Sequence, residues 1–171
     1  LSLCEIFEHI AAATQYQFLL RVSYLEIYNE DINDLLEPAN HHLKIHDDPA
    51  KGPVVEGLSA EMVSSPEQCL QLIAQGEARR HVGRTNMNAA SSRSHSVLRV
   101  EIERCDRDEH AAAVEPGSSA ALVVSATLNL IDLAGSESVS KAGTSGQQLK
   151  EGSAINKSLL TLSQVISKLS D

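Results

Sequence analysis

Apolar and polar positions follow two different periods along the chain, and the two periods together predict a mixed α/β fold. A nearly continuous apolar run at 123–133 contains β-branched residues, which is typical of a strand covered on both faces. Alternation with a period of two predicts strands at 18–28 and 98–103, the second at a sheet edge or covered on one face only. Spacings of three and four residues predict a helix at 1–15 and a long helix from about 152 onward.

The segments between these elements carry turn and capping signals. A short helical turn is expected at 29–36, followed by loops and short edge strands at 38–64. The next helix has a clear start, because Ser65 is a good N-cap, Pro66 suits the first turn, and Gln68 can complete a capping box. A polar loop is predicted after this helix, at 80–95.

The length and composition limit the classes of protein. A chain of 171 residues is long enough for one sizeable core, so one domain is expected. No run approaches the ~20 apolar residues of a membrane span, and the start of the chain does not resemble a signal peptide. The three cysteines are too few and too scattered for a disulfide framework or a zinc site, which fits a reducing compartment.

The charge is unevenly distributed. The net charge of −9 argues against nucleic acid as a partner. Residues 1–78 carry three basic and thirteen acidic side chains, whereas residues 79–104 carry six arginines and two glutamates. This local excess of positive charge predicts an anion or an acidic surface near the second segment. A solvated arginine-rich face would have the same composition.

An aspartate and a glycine end the predicted strand at 123–133 with the spacing Asp-x-x-Gly. Asp132 stands at the carboxyl end of the strand, where open α/β sheets bind their ligands. A carboxylate there can hold Mg²⁺ or its waters, and Gly135 lets a backbone N–H approach a terminal phosphate because it has no Cβ. Asp and Gly are also ordinary turn residues, so this spacing alone fits a simple strand end equally well.

A second polar motif, at 88–95, reads Asn-Ala-Ala-Ser-Ser-Arg-Ser-His and lies in the loop before the strand at 98–103. The hydroxyls of Ser91 and Ser92 could contact a phosphate or Mg²⁺, and the guanidinium of Arg93 could neutralise charge or bind a carboxylate. A serine-rich turn would have the same composition. The occurrence of both motifs in one chain favours the phosphate interpretation.

Several motifs, in order and at suitable spacing, resemble those of kinesin motor domains. The matching residues are 88–95, 132–137, 151–152 and 155–159. They correspond to switch I at 86–95, switch II at 132–146 and the relay helix at 152–170. Residues 24–30 and 81–88 resemble the family as well, so the similarity covers essentially the whole chain. The segments at 54–58 and 149–152 are most similar to the centromere-associated kinesins and their plant and algal relatives.

The resemblance implies a three-layer kinesin-type P-loop NTPase fold that uses ATP and Mg²⁺. It assigns nucleotide contacts to Asn88, Ser91, Ser92 and Gly135, Mg²⁺ contacts to Ser92 and Asp132, and a switch-closing salt bridge to Arg93 and Glu137. Such a bridge would tie the order of two loops to the presence of the γ-phosphate.

The resemblance also implies a partner and a location. Lys141, Asn156 and Lys157 would face tubulin, whose surface is acidic. The protein would then be a microtubule-stimulated ATPase that moves along microtubules, located in the cytoplasm on the cytoskeleton. No nucleic acid or membrane is expected as a partner, and dimerisation would use regions outside this chain.

One motif of the family is missing from the 171 residues. There is no G-x-x-x-x-G-K-[ST] phosphate loop, and the residues at 143–146 lack both its spacing and its lysine. The fold is therefore expected to be incomplete, with the central part of a motor domain present, and this chain alone is expected not to turn over ATP at the rate of a motor. The alternative is a truncated tubulin-binding or regulatory remnant without ATPase activity. A Ser/His hydrolase is less favoured, because Ser94 and His95 are adjacent and no G-x-S-x-G motif occurs.

Overall fold

Two helices and seven strands are described in a computed structural model of the chain. The model describes residues 3–50, 52–80, 94–106 and 123–135, and in a C-terminal helical segment residues 153, 155–162, 164 and 167. The elements are α1 (Leu3–Ala12), β1 (Tyr16–Tyr28), β2 (Asp31–Asp34), β3 (Ile45–Asp48), β4 (Gly52–Val55), β5 (Glu61–Val63), α2 (Pro66–Arg79), β6 (His95–Asp106) and β7 (Val124–Asp132). None of the helices in the described part of the chain has the length and apolar character needed to cross a membrane.

The main sheet is built on β1 and β6, its two longest strands. Its order is β2-β1-β6-β7, and β5 also pairs with β1, beside β2 along the same edge. All the described pairings are antiparallel, and β3 and β4 form a separate two-stranded hairpin. β6 therefore lies inside the sheet, so of the two alternatives predicted for it, an edge strand or a strand covered on one face only, the edge strand is wrong.

One face of the sheet carries the hydrophobic core. Leu20, Val22 and Tyr24 of β1 lie opposite Ile102, Val100 and Leu98 of β6 in the strand register. Because side chains alternate between the faces of a strand, these six residues share one face. Ile6 of α1 and Cys69 of α2 are buried in the same cluster. The predicted helices at the start of the chain and after Ser65 are thus confirmed as the layer that covers this face.

The opposite face is more polar. Arg21 and Glu103 form an ion pair there with a separation of 2.7 Å between Nη1 and Oε1. The C-terminal helical segment contacts this side of the sheet, through a hydrogen bond between Ser158 and His95. Helices therefore lie on both sides of the sheet, as the predicted three-layer architecture requires.

The cap predicted for α2 is present. The N–H of Gln68 donates to the Ser65 hydroxyl, and the side-chain oxygen of Gln68 in turn accepts from the N–H of Ser64. Pro66 begins the helix. This reciprocal arrangement satisfies two N–H groups at the helix start, so the position of α2 is specified locally.

The segment at 29–36 is a hairpin and not the predicted helical turn. Tyr28 pairs with Asp31, and the two residues between them, Asn29 and Glu30, have φ values of +52° and +70°. Two consecutive residues with positive φ form the turn whose twist suits a two-residue hairpin. The alternation in β2 buries Ile32 and Asp34 and leaves Asp31 and Asn33 half-buried.

β7 differs most from its prediction. The expected coverage on both faces is wrong, because Val124, Leu130 and Ile131 are 41%, 44% and 58% exposed. β6 is the sole partner of β7 among the strands described, and none of those strands pairs with the other edge of β7. Its apolar composition does indicate burial, but the elements needed to cover it do not lie within the described part of this chain.

Candidate functional site

The end of one predicted polar motif and the start of the other lie at the same end of the sheet. β6 begins at His95, the last residue of the motif at 88–95, and β7 ends at Asp132, where the Asp-x-x-Gly motif begins. The two strands are antiparallel, with Ser96 opposite Asp132. The antiparallel pairing therefore places the end of one motif beside the start of the other.

Arg80 connects these two strands to α2. It is the residue at the end of α2, and its N–H donates to the carbonyl oxygen of Gly76 at 2.8 Å. Its Nε donates to the Ser94 hydroxyl at 3.1 Å and its Nη2 to the Ser94 carbonyl at 2.7 Å. Its Nη1 donates to Oδ2 of Asp132 at 2.7 Å. Since Arg80 is only 4% exposed, this guanidinium is held inside the protein and fixes the relative positions of both strand ends.

Asp132 combines a fixed position with access to solvent. Its side chain is 62% exposed although one of its oxygens accepts the bond from Arg80. A carboxylate on a rigid strand end that still reaches solvent can hold a cation directly or through water. Carboxylate and hydroxyl oxygens are the ligands that Mg²⁺ prefers, so Asp132 fits a magnesium site chemically.

His95 lies beside Asp132 and is hydrogen-bonded at both ring nitrogens. Its Nδ1 accepts the backbone N–H of Ala134 at 3.1 Å, and its Nε2 lies 2.7 Å from the Ser158 hydroxyl. Burial lowers the pKa of His95, the positive charge of Arg80 lowers it further, and the carboxylate of Asp132 acts in the opposite direction. The ring is therefore favoured in its neutral form.

The tautomer of His95 follows from these partners. Because Nδ1 accepts a backbone N–H, it cannot carry a proton, so the single proton of the neutral ring is on Nε2. Nε2 consequently donates to Ser158, whose own hydroxyl proton goes to the carbonyl of Ile155 at 2.8 Å. A histidine that donates to a serine cannot take the proton of that serine, so this pair is not an activated nucleophile.

The helical segment carries a second contact to the sheet layer. Nζ of Lys157 lies 3.6 Å from a carboxylate oxygen of Glu30, in the hairpin turn between β1 and β2. Both side chains are largely exposed, at 73% and 56%. An exposed pair of this kind contributes little stability, so Lys157 remains available to a partner.

Most of the site residues predicted from the sequence lie outside the described part of the chain. These are Asn88, Ser91, Ser92 and Arg93, together with Glu137 and Lys141. Of the others, Asp132 ends β7, Gly135 follows three residues later, and Asn156 and Lys157 are exposed on the helical segment. The assigned roles of all these residues remain predictions.

Comparison with known proteins identifies the family. The family model for the kinesin motor domain matches residues 1–171. The chain belongs to the kinesin motor domain family. It is 50% identical over 171 residues to the kinesin-like protein KIN-7O of Arabidopsis thaliana, covering all of this chain and 13% of that protein. It is 51% identical to kinesin-related protein 11 of Dictyostelium discoideum, covering all of this chain and 25% of that protein.

Solved kinesin structures match the fold described above. A structure of KIF14 with ADP in complex with a microtubule superposes with a TM-score of 0.84 at 41% identity, covering 98% of this chain and 47% of that one. A structure of a fast kinesin gives a TM-score of 0.69 at 38% identity, covering 91% of this chain and 42% of that one. The chain therefore spans less than half the length of these kinesin chains. The kinesin-type fold and the relation to plant kinesins, both predicted from the sequence motifs, are confirmed.

Sequence reasoning missed Arg80 and the partners of His95 in this kinesin site. Arg80 is one of six arginines at 79–104, and the composition of this segment alone does not distinguish it from the others. The available signal was its position near the end of the predicted helix, since a residue at the end of a helix is fixed relative to it. The bond between His95 and Ser158 joins residues 63 positions apart, and no local pattern predicts it.

Proposed function

We propose that this chain is part of a motor domain that binds Mg-ATP and couples its hydrolysis to movement along microtubules. The observation that supports this best is the Arg80 guanidinium, which binds Ser94 in the motif at 88–95 and Asp132 in the Asp-x-x-Gly motif. A phosphate sensor needs two loops that respond to the same ligand, and Arg80 joins the residues at which these two predicted loops meet the sheet, Ser94 and Asp132. Family membership and the microtubule-bound KIF14 structures support the same function.

In this proposal the described residues prepare the phosphate side of the site. Asp132 and the predicted Ser92 would hold Mg²⁺, which neutralises charge on the phosphate oxygens when bound. Arg80 orients the carboxylate of Asp132 by donating to its Oδ2. The N–H of Gly135 would face the terminal phosphate. Arg93 and Glu137 would close the two loops over it.

The partner surface is assigned to the helical segment and the loop before it. Asn156 and Lys157 are exposed on that segment, and with Lys141 they would contact the acidic surface of tubulin. The protein would accordingly act on the cytoskeleton. Nucleotide contacts made by a phosphate loop are assigned to sequence beyond these 171 residues.

The switch assignment can be tested in the full-length protein by charge removal and exchange. Arg93→Ala and Glu137→Ala are each expected to reduce microtubule-stimulated ATP hydrolysis by at least about 10-fold, because each removes a contact needed only after phosphate is bound. The double exchange Arg93→Glu with Glu137→Arg is expected to restore part of the rate. The control is Arg104→Ala, at an arginine that packs over the Tyr16 ring at the far end of β6. Unchanged stimulated hydrolysis in both single variants would show that these residues do not close the switches.

The isolated chain provides a second test. Without a phosphate loop, the purified 171-residue polypeptide is expected to release no phosphate from ATP above the rate of buffer, with or without microtubules. The control is the full-length protein at the same concentration. Microtubule-stimulated phosphate release from the isolated chain would contradict this expectation.

A further inference from the structure

One path of hydrogen bonds runs from the end of β7 to the helical segment. The N–H of Ala134 donates to Nδ1 of His95, Nε2 of His95 donates to the hydroxyl of Ser158, and that hydroxyl donates to the carbonyl of Ile155. Ala134 and His95 are buried. Each donor on this path has one acceptor, so the path has a defined direction.

The middle bond of this path depends on the first one. As long as Nδ1 accepts from Ala134, the ring proton must be on Nε2, and the bond to Ser158 is made. If the Ala134 N–H moves away, the neutral ring can carry its proton on either nitrogen. In the other tautomer Nε2 has no proton to donate, so the bond to Ser158 as described is lost.

The two ends of the path lie in parts of the molecule with different expected ligands. Ala134 lies two residues after Asp132 and one before Gly135, where phosphate and Mg²⁺ are assigned. Ser158 lies next to Lys157, where tubulin is assigned. The single imidazole of His95 is the described side chain that is hydrogen-bonded to both parts.

We propose that His95 is a positioning residue that couples the loop after β7 to the helical segment, by donating to Ser158 only while Ala134 holds its ring in one tautomer. The inference rests on the proposed function, since it specifies how nucleotide binding reaches the microtubule-facing helix. The fixed tautomer makes the donation from His95 to Ser158 conditional on the position of the loop.

The test uses the full-length protein and the ratio of microtubule-stimulated to basal ATP hydrolysis. Ser158→Ala removes the acceptor on the helical segment and is expected to lower this ratio about 2- to 10-fold, the effect of losing one hydrogen bond. Its basal rate is expected to equal that of the wild type, because Ser158 contacts neither assigned ligand. Ser158→Thr keeps the hydroxyl and is expected to retain most of the stimulation.

The matched control is Thr161→Ala. Thr161 lies on the same helical segment, and its hydroxyl donates to the carbonyl of Lys157 at 2.9 Å, as that of Ser158 donates to Ile155. Thr161 is exposed, and its described bond does not leave the helix. Thr161→Ala therefore removes a hydrogen bond within the helix but none to the sheet. Its ratio of stimulated to basal hydrolysis is expected to equal that of the wild type.

A second variant tests the same bond from the sheet side. In His95→Asn the amide oxygen can replace Nδ1 as the acceptor from Ala134, but the shorter side chain cannot reach Ser158. The double variant with Ser158→Ala is expected to be no worse than the more affected single variant, since both changes remove one bond. If His95→Asn does not fold, comparison of Ser158→Ala and Ser158→Thr with Thr161→Ala still tests whether the bond between His95 and Ser158 couples the two parts.

The outcomes separate the inference from the proposed function. A wild-type protein without microtubule-stimulated hydrolysis would overturn the proposed function, and the inference with it. A stimulated wild type in which Ser158→Ala and Thr161→Ala give the same ratio would overturn the inference alone. Equal losses of the basal and stimulated rates in Ser158→Ala would also overturn it, because they would indicate a role other than coupling.

Discussion

At the scale of single residues, Arg80 connects the end of α2 to the start of β6 and the end of β7. Replacing it with Ala removes the donors to the fully buried Ser94 and to Asp132, so the free energy of unfolding is expected to fall by about 2 to 4 kcal/mol. Arg80→Lys keeps the charge but not the planar guanidinium, so its free energy of unfolding should fall less than that of Arg80→Ala. Urea unfolding of the complete motor domain measures these changes.

The neighbouring arginine is a suitable control for that experiment. The guanidinium of Arg79 donates to the carbonyls of Leu35 and Leu36, and Arg79 itself is exposed. Arg79→Ala is expected to cost about 1 kcal/mol or less. If both arginines gave the same loss, the special position of Arg80 at the two strand ends would not matter for stability.

A second residue-scale prediction concerns the pH dependence of stability. The pKa of His95 in the folded protein lies below its ordinary value of 6.5. The unfolded chain therefore binds this proton more readily, so the stabilising contribution is complete above about pH 6.5 and declines as the pH falls towards the folded pKa. Urea midpoints between pH 7.5 and 5.5 are expected to fall less steeply in His95→Asn than in the wild type.

The control for the pH experiment is His46→Asn, at an exposed position in β3. It removes an imidazole without emptying a buried site. Parallel pH profiles of the wild type and His95→Asn would show that His95 does not contribute to the acid sensitivity of the fold.

At the scale of elements, the contact between α2 and β1 depends on a glycine. A Cβ placed on Gly76 would lie 2.6 Å from Cε1 of Tyr24, a residue of the buried core, and 3.3 Å from Cβ of Leu35. Tyr24 cannot easily turn away, because its hydroxyl donates to Glu77 on the same helix. Gly76→Ala is therefore expected to destabilise the fold by about 1 to 3 kcal/mol, although alanine favours helices by about 1 kcal/mol.

The opposite substitution on the same helix tests whether packing causes this effect. Ala78 is exposed, so Ala78→Gly should lose only the helix preference of about 1 kcal/mol. Thermal unfolding of both variants in the complete motor domain gives the comparison. A more stable Gly76→Ala variant would show that α2 can move away from Tyr24 at little cost.

The elements differ in how well the sequence predicts them, for physical reasons. α2 was predicted with its cap, because Ser65, Pro66 and Gln68 act within one turn. The hairpin at Asn29 and Glu30 was missed, because neither residue is a glycine and the turn is selected by pairing of β2 with β1. The geometry of the site could not be predicted in the same way, because it depends on contacts such as that between Arg80 and Asp132. These residues are 52 positions apart, and local sequence patterns carry no information about such contacts.

At the scale of the whole molecule, the uncovered β7 determines how the isolated chain should behave. The edge of β7 away from β6 pairs with none of the described strands, and apolar side chains such as Leu130 and Ile131 are exposed on the same strand. Such an edge is a template for pairing with another chain. The purified 171-residue polypeptide is therefore expected to self-associate as its concentration rises. Light scattering after size exclusion measures this association.

The control is a charge placed on the same strand. Ile131→Lys, at a position 58% exposed, is expected to reduce self-association, because a lysine on an open edge opposes pairing between strands. Met62→Lys, on the short strand β5 at a position 70% exposed, is expected to change it much less. A chain that stays monomeric at high concentration would contradict the prediction. Equal effects of the two lysines would show that exposed apolar area in general, and not the β7 edge, drives the association.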